Sequence, residues 1–64
     1  MDDYFIFNPL TKMYYSGEAY NSFKWTASYS KIKLLTIEEA RKVRRHHFDN
    51  WGEDAWIVLF EPIG

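Results

Sequence analysis

The absence of cysteine constrains this chain more than any other feature, because the sequence has only 64 residues. A domain of this size buries a modest fraction of its surface, and many short domains are stabilised by disulfides or a bound metal. Disulfides and thiolate zinc sites are both excluded here. The chain must therefore be stabilised by apolar burial, which its three Trp, five Tyr and five Phe can supply.

Aromatic residues make up 20% of the chain, which is more than one small core is expected to hide. We therefore expect some Tyr and Trp side chains to be exposed, where such residues are frequent anchors of protein interfaces. No segment approaches the roughly 20 apolar residues of a membrane span. Asp2 and Asp3 place negative charge where a signal peptide would be positive. We expect one complete cytoplasmic domain over residues 1–64, with no membrane contact.

Opposite charges are concentrated in different parts of the chain, although the net charge is only −1. Residues 24–45 contain seven of the eight Lys and Arg, whereas seven of the nine Asp and Glu lie outside that range. Two interpretations fit this distribution. Acidic and basic regions side by side aid solubility, or two oppositely charged faces exist and one of them steers a partner.

Residues 37–50 are predicted to form the single helix. Thr36 and Glu39 fit a capping box, in which each side chain bonds the backbone of the other residue. At about 100° per residue, the apolar positions fall on one face, and these are Ile37, Ala40, Val43, His47 and Trp51. Gly52 follows where a glycine commonly ends a helix.

Strands are predicted where aromatic and β-branched residues dominate, at residues 3–8, 13–16, 23–26 and 55–61. The first strand is apolar on both faces, which suggests a central position or a face used for binding. The last is the strongest strand of the chain, and we place it centrally. Residues 28–35 fit either a helical turn over 31–33, capped by the preceding serines, or a strand over 31–35. Periodicity does not separate these two alternatives.

This element order predicts an α+β fold, in which a small, mainly antiparallel sheet of three or four strands has one helix packed on one face. The opposite face of the sheet would then be uncovered. If Tyr4, Tyr14 or Trp56 lined that face, it would form an aromatic patch in need of a partner.

The sequence contains no motif typical of catalysis or metal binding. It has no Cys nucleophile, no glycine-rich phosphate loop and no GxSxG. His46, His47 and Asp49 are close together, but adjacent helical residues diverge by about 100° and do not converge on one ion. We predict a protein that is not an enzyme and uses neither metal nor cofactor. His47 is expected to be a semi-buried core residue, and His46 to point outward.

The best candidates for nucleic-acid binding are Arg41, Lys42 and Arg45 on the outward helix face. The pI of about 6.0 disfavours it, since nucleic-acid-binding domains are usually basic. A solvated helix face with ion pairs between residues four apart is the simpler interpretation. Arg44 flanks the core face and is expected to snorkel or to pair with an acid.

Three segments resemble short proteins encoded by bacteriophages and mobile elements: NPLTKMYYSG at 8–17, KWT at 24–26 and TIEEARKV at 36–43. In those proteins a turn and a YYSG-like strand precede a WT pair and a T-x-E-E-A helix. The resemblance covers much of the chain, although its motifs are structural and transfer no functional residues. It implies a protein that occupies a site on a host machine, as anti-CRISPR inhibitors do.

The leading hypothesis is a small inhibitor that binds a host defence or nucleic-acid-processing protein, or a ribonucleoprotein complex, in the cytoplasm of a bacterial host. An acidic set is predicted to enter a basic groove on the target, and it consists of Asp49, Glu53 and Asp54. Exposed sheet aromatics are predicted to anchor the contact, and they are Tyr14, Tyr15 and Tyr20.

Two other functions remain open on the sequence. The first is a nucleic-acid-binding module that uses Arg41, Lys42 and Arg45. The second is a homo-oligomeric structural or assembly protein, joined through an uncovered sheet face or an edge strand. The protein is accordingly expected to be a monomer or a homodimer.

Overall fold

The computed structural model describes residues 2–19 and 22–62 and has an α+β fold. Its elements are strand β1 (Tyr4–Asn8), strand β2 (Met13–Ala19), strand β3 (Ser22–Thr26), a 3-10 turn (Tyr29–Lys31), helix α1 (Ile37–Trp51) and strand β4 (Trp56–Leu59). The strands form an antiparallel sheet in the order β3-β2-β1-β4, and α1 packs against one face of it. The predicted fold class is confirmed.

Strand β1 lies inside the sheet, between β2 and β4. Phe5 and Ile6 point to opposite faces, and both are buried. A strand buried on both sides is expected to be apolar at successive positions, as the sequence from Tyr4 to Phe7 is. Of the two alternatives left open for this segment, the central position is the one observed.

Strand β4 lies at an edge of the sheet, so the prediction that it is central is wrong. It pairs with β1 alone, from Trp56 opposite Phe7 to Leu59 opposite Tyr4. Ile57 packs against the core, whereas Trp56 is 56% exposed on the other face. An apolar run therefore did not distinguish a central strand from an edge strand that leaves apolar side chains exposed.

Strand β2 continues past residue 16, the predicted end of this strand, and Gly17 lies within it. The register shifts between Tyr15 and Gly17, which marks a β-bulge. Gly17 has a φ of 131°, which residues with a Cβ rarely adopt. The ladder between β1 and β2 joins only Phe7 to Tyr14 and Asn8 to Met13.

Residues 33–35 run between β2 and the start of β1. The N–H of Lys33 donates to the carbonyl of Tyr15 at 3.1 Å, and Leu35 exchanges two backbone hydrogen bonds of 2.8 Å with Tyr4. The preceding 3-10 turn begins two residues before the helical turn considered from the sequence. The alternative was a strand over residues 31–35, and the structure has one isolated β-bridge there, between Leu35 and Tyr4. Segment 28–35 thus contains a part of each alternative.

Helix α1 has the predicted start and ends one residue later than predicted. Thr36 Oγ1 accepts from the N–H of Glu39 at 3.2 Å, and the Glu39 carboxylate accepts from the N–H of Thr36 at 3.0 Å. Gly52 follows with a φ of 67° and donates its N–H to the Phe48 carbonyl at 2.8 Å. The predicted capping box and glycine stop are both confirmed.

The core lies between α1 and the sheet, and its buried members are Ile6, Tyr15, Leu35, Ala40, Val43 and Ala55. Tyr4 packs against this core, so it is not on the uncovered face as considered from the sequence. Trp51 was predicted to share the core face of α1, but it is half exposed and stacks on His47.

Within the described residues, no helix combines the length and apolar character needed to cross a membrane.

Candidate functional site

The three acidic residues predicted to contact a partner each have a different partner within the fold. Asp49 lies 3.8 Å from Arg45, and Asp54 accepts a hydrogen bond of 3.1 Å from Arg44. Glu53 accepts hydrogen bonds from Asn8 and His47. These side chains therefore do not form one free acidic surface. The pairing of Arg44 with an acid is confirmed.

The three tyrosines predicted to anchor a partner have different environments. Tyr14 is partly exposed on the sheet face opposite α1. Tyr15 is 2% exposed and belongs to the core, so its expected exposure is wrong. Successive residues of a strand point to opposite faces, and only one of this pair can face outward. Tyr20 lies outside the described residues.

Burial raises the pKa of the Tyr15 phenol, and the nearby carboxylates of Glu18 and Glu39 raise it further. The phenol is therefore neutral at physiological pH. It can act as a hydrogen-bond donor but not as a base.

The sheet face opposite α1, called the open face below, is formed by aromatic side chains in mutual contact. Phe7 lies 5.1 Å from Tyr14 and 5.8 Å from Trp56. Tyr29 lies 5.5 Å from Phe5 and 5.6 Å from Tyr14 in edge-on contacts. Aromatic pairs favour such tilted and edge-on geometries.

Tyr29 reaches the open face from the 3-10 turn, and sequence reasoning did not assign it there. It is 49% exposed, while Phe5 beneath it is buried. Tyr29 and Trp56 thus leave large amphipathic rings at the surface, which is typical of interface anchors. In the described part of the chain, the 3-10 turn covers the open face at Phe5, and no helix covers the rest of it.

The outer edge of β4 carries backbone groups that are not paired within the sheet. Phe60 donates its N–H to the Asp3 carbonyl at 2.8 Å, so these two residues form a hydrogen-bonded pair. Hydrogen-bonded and non-hydrogen-bonded pairs alternate along an antiparallel ladder. Trp56 and Val58, which lie four and two residues before Phe60, therefore also direct their N–H and carbonyl groups toward β1. Ile57 and Leu59 point theirs outward, where the described residues place no other strand.

A basic groove of about 460 Å³ lies beside the residues that lead into β4, on the helix side of the sheet. Its lining residues are Arg41, Arg44, Arg45, Phe48 and Asp54. The four helix positions fall on one side of α1. Its two ion pairs are exposed, and such pairs contribute little to stability. Arg41 has no ion pair with the described residues, so the groove is positive beside an exposed phenyl ring.

Lys42 was grouped with Arg41 and Arg45 from the sequence, but it lines a different depression. That depression also contains Glu18 and Glu39. The predicted basic set is therefore split, because residues 41 and 42 lie about 100° apart around the helix. Arg44, which pairs with Asp54 as predicted, also lines the basic groove.

A polar cluster connects the β1–β2 hairpin to the end of α1. Asn8 is 2% exposed and His47 is 5% exposed, which confirms the predicted burial of His47. Oε1 of Glu53 accepts from Asn8 Nδ2 at 2.9 Å and lies 3.2 Å from His47 Nε2. Asn8 Oδ1 accepts from the N–H of Leu10 at 2.9 Å. The amide hydrogen bond lowers the pKa of Glu53 most, and the His47 hydrogen bond adds to this effect.

The hydrogen bond to Glu53 requires a proton on Nε2 of His47. Nδ1 is buried and has no hydrogen-bond partner in the described residues. Asn8 Nδ2 lies 3.5 Å from Nε2, but both atoms then donate to Glu53, and this approach is only a contact.

Among the described residues, no three His, Cys, Asp or Glu side chains are grouped so that they could hold a metal ion.

Comparison of the chain with protein-family models, curated proteins and solved structures finds no match.

Proposed function

We propose that this protein acts by binding another protein, an extended segment of which adds as a further strand at the outer edge of β4. The position of that edge carries the proposal. Two surfaces suited to side-chain contacts lie near β4: the open face, to which Trp56 of β4 contributes, and the basic groove, which Asp54 lines just before β4 begins. Strand addition takes its affinity from outward backbone groups, here those of Ile57 and Leu59, and its specificity from flanking side chains.

The two flanking surfaces define the partner segment. Side chains of an added strand alternate between the faces of the sheet. On one face they would lie beside Trp56 and the other rings of the open face, where apolar residues fit. On the helix side they would lie beside the groove of Arg41 and Arg45, where carboxylates fit. The partner segment is therefore extended, with apolar and acidic residues in alternation.

A second copy of the chain fits this edge less well. In an antiparallel pair of β4 strands, both helices lie on the same side of the enlarged sheet. The side of α1 at Glu39 and Lys42 lies beside Tyr15 of β2 and residues 33–35, away from β4. The opposite side, with Arg41, Arg44 and Arg45, is therefore the one nearer the β4 edge, and the two arginine groups would approach each other. Like charges in an interface are unfavourable, whereas an acidic partner neutralises them.

The resemblance of residues 8–17 and 36–43 to phage and mobile-element proteins supports a finer proposal. Binding inhibits a host defence or nucleic-acid-processing complex in the bacterial cytoplasm, as an anti-CRISPR protein would. The mode of binding needs no catalytic residue of this chain. Tyr14 keeps its predicted anchoring role on the open face, while Tyr15 does not.

Selection from a library of random peptides of about 12 residues tests the binding mode. We expect the selected peptides to alternate apolar and acidic residues, and their affinities are measured by fluorescence anisotropy. Leu59→Pro removes an outward N–H without touching the bonds to β1, and proline is tolerated at such edge positions. It should weaken binding about tenfold, the effect of losing one backbone hydrogen bond of about 1.4 kcal/mol.

Leu59→Ala is the matched control for the backbone, since it removes the side chain and keeps the N–H. For charge, Arg41→Glu with Arg45→Glu should abolish binding, whereas Lys42→Glu, outside the groove, should not. Equal affinities of Leu59→Pro and Leu59→Ala would rule out strand addition. Failure to select any peptide would also count against the proposal.

The basic groove supports nucleic-acid binding as a second candidate function, because Phe48 beside Arg41 and Arg45 could stack on a base. Phosphate contacts release counterions, and such binding would weaken steeply with salt. The β4 edge separates the two functions. Nucleic-acid binding should be lost in the double arginine variant and unchanged by Leu59→Pro.

A further inference from the structure

A second pocket, independent of the β4 edge, lies where the end of α1 meets strands β2 and β3. It has a volume of about 300 Å³. The rings of Phe23, Trp25 and Trp51 line it, together with the polar cluster of Asn8, His47 and Glu53. Pockets that combine aromatic walls with a few placed polar groups are typical ligand sites.

The electrostatic character of this pocket is negative. Hydrogen bonds from Asn8 and His47 hold the pKa of Glu53 below its usual range, so its carboxylate is charged at neutral pH. None of the described residues that line the pocket is a Lys or Arg. A negative charge therefore lies among aromatic rings whose faces also attract cations.

We infer that this pocket binds an alkylated ammonium group, of the kind found in choline or in trimethyllysine. Guanidinium and primary ammonium groups need free acceptors for several N–H donors. Glu53 Oε1 already accepts from both Asn8 and His47, so only Oε2 of this carboxylate is left for the several N–H donors of a lysine or arginine head group. A quaternary ammonium has no N–H to satisfy, so ring faces and one nearby carboxylate are sufficient for it.

The aromatic walls are held in place by packing around the two histidines. The His47 ring lies 4.9 Å from Trp25 and is stacked at 5.3 Å on Trp51. The His46 ring lies 5.1 Å from Phe23. Because Trp51 is half exposed, one wall remains open to solvent and a ligand can enter without unfolding the helix.

Titration with choline, followed through the three tryptophan indole signals in ¹⁵N NMR spectra, tests this inference. The signals of Trp25 and Trp51 should shift, while that of Trp56, on the open face, should not. The uncharged isostere 3,3-dimethylbutan-1-ol has the same shape and should cause smaller shifts. Equal shifts for the two compounds, equal shifts of all three indoles, or no shift at all would overturn the site.

Glu53→Gln keeps an acceptor for Asn8 and His47 but removes the charge, and it should weaken choline binding about tenfold or more. Trp51→Leu removes an exposed wall and should have a similar effect, with Trp56→Leu as its control. Unchanged binding in Glu53→Gln or Trp51→Leu would contradict the inference. The Leu59→Pro variant should bind choline normally, so this site and the β4 edge can fail separately.

The same titration with two short peptides identifies the source of the cation. Preference for a trimethyllysine peptide over both choline and an unmodified lysine peptide assigns the site to a protein side chain. Equal affinity for choline and the trimethyllysine peptide assigns it to a free small molecule. Equal affinity for the unmodified lysine peptide would overturn the preference for alkylated ammonium.

Discussion

Glu53 connects elements that are distant in the sequence, because its carboxylate bonds Asn8 of β1 and His47 of α1. The folded state holds the pKa of Glu53 below its unfolded value. A carboxyl with a depressed pKa contributes stability that is present above its unfolded pKa of about 4.3 and is lost as the pH falls through the folded pKa. Acidification should therefore release the end of α1 from the hairpin.

We expect the melting temperature of the protein to fall between about pH 5 and pH 3, and Glu53→Gln to reduce this dependence. Circular dichroism melts across that range provide the measurement. Glu38→Gln is the control, since Glu38 is an exposed first-turn residue. The same pH dependence in wild type and Glu53→Gln would show that this carboxylate is not linked to folding.

The polar cluster shows how far the sequence leads at the level of single residues. Burial of His47 was predicted because its position on the helix follows from periodicity. The hydrogen bond between Asn8 and Glu53 was not, because these residues lie 45 positions apart and local patterns carry no information on such contacts.

Helix α1 was predicted to within one residue because both of its ends carry local signals. Gly52 allows a direct test of one of them. An added Cβ would meet nothing within 4 Å, so the effect of Gly52→Ala is confined to the backbone at a φ of 67°. We expect a loss of about 1 kcal/mol in the free energy of unfolding, measured in urea.

Gly52→Asn is the matched variant, because asparagine tolerates the left-handed conformation better than alanine. It should retain part of the stability that Gly52→Ala loses. If both variants were as stable as the wild type, Gly52 would not be needed to end the helix.

The strands were located from the sequence, but their order was not. The sequence of β4 is apolar at successive positions, which is typical of a central strand. Its position at the edge depends on pairing with β1, near the other end of the chain, and local patterns do not specify such pairing. Tyr29 lies in the segment 28–35, for which the sequence left both a helical turn and a strand open. Its contribution to the open face depends on the path of 28–35 across the sheet, which no local pattern specifies.

The whole molecule is expected to be monomeric, because the like-charged sides of α1 disfavour pairing of two β4 edges. Sedimentation velocity at protein concentrations up to about 1 mM tests this. The ionic strength is kept at about 0.1 M, where the Debye length is about 10 Å and charge repulsion at close range persists. A dimer that Leu59→Pro abolishes would instead support the homo-oligomeric alternative. A dimer unaffected by that change would point to the open face as the contact.

The pairing of Tyr4 with Leu59 has a consequence for how this protein is made. A ribosome synthesises a protein from its N-terminal side, so β1 is made before β4. Tyr4 can pair with Leu59 only after more than fifty further residues have been added. Helix α1 can form on its own time scale of about a microsecond, whereas the β1–β4 ladder closes a loop of almost the whole domain. During synthesis β1 therefore exposes one unpaired side, and the nascent chain depends on early pairing with β2 and Leu35 to protect it.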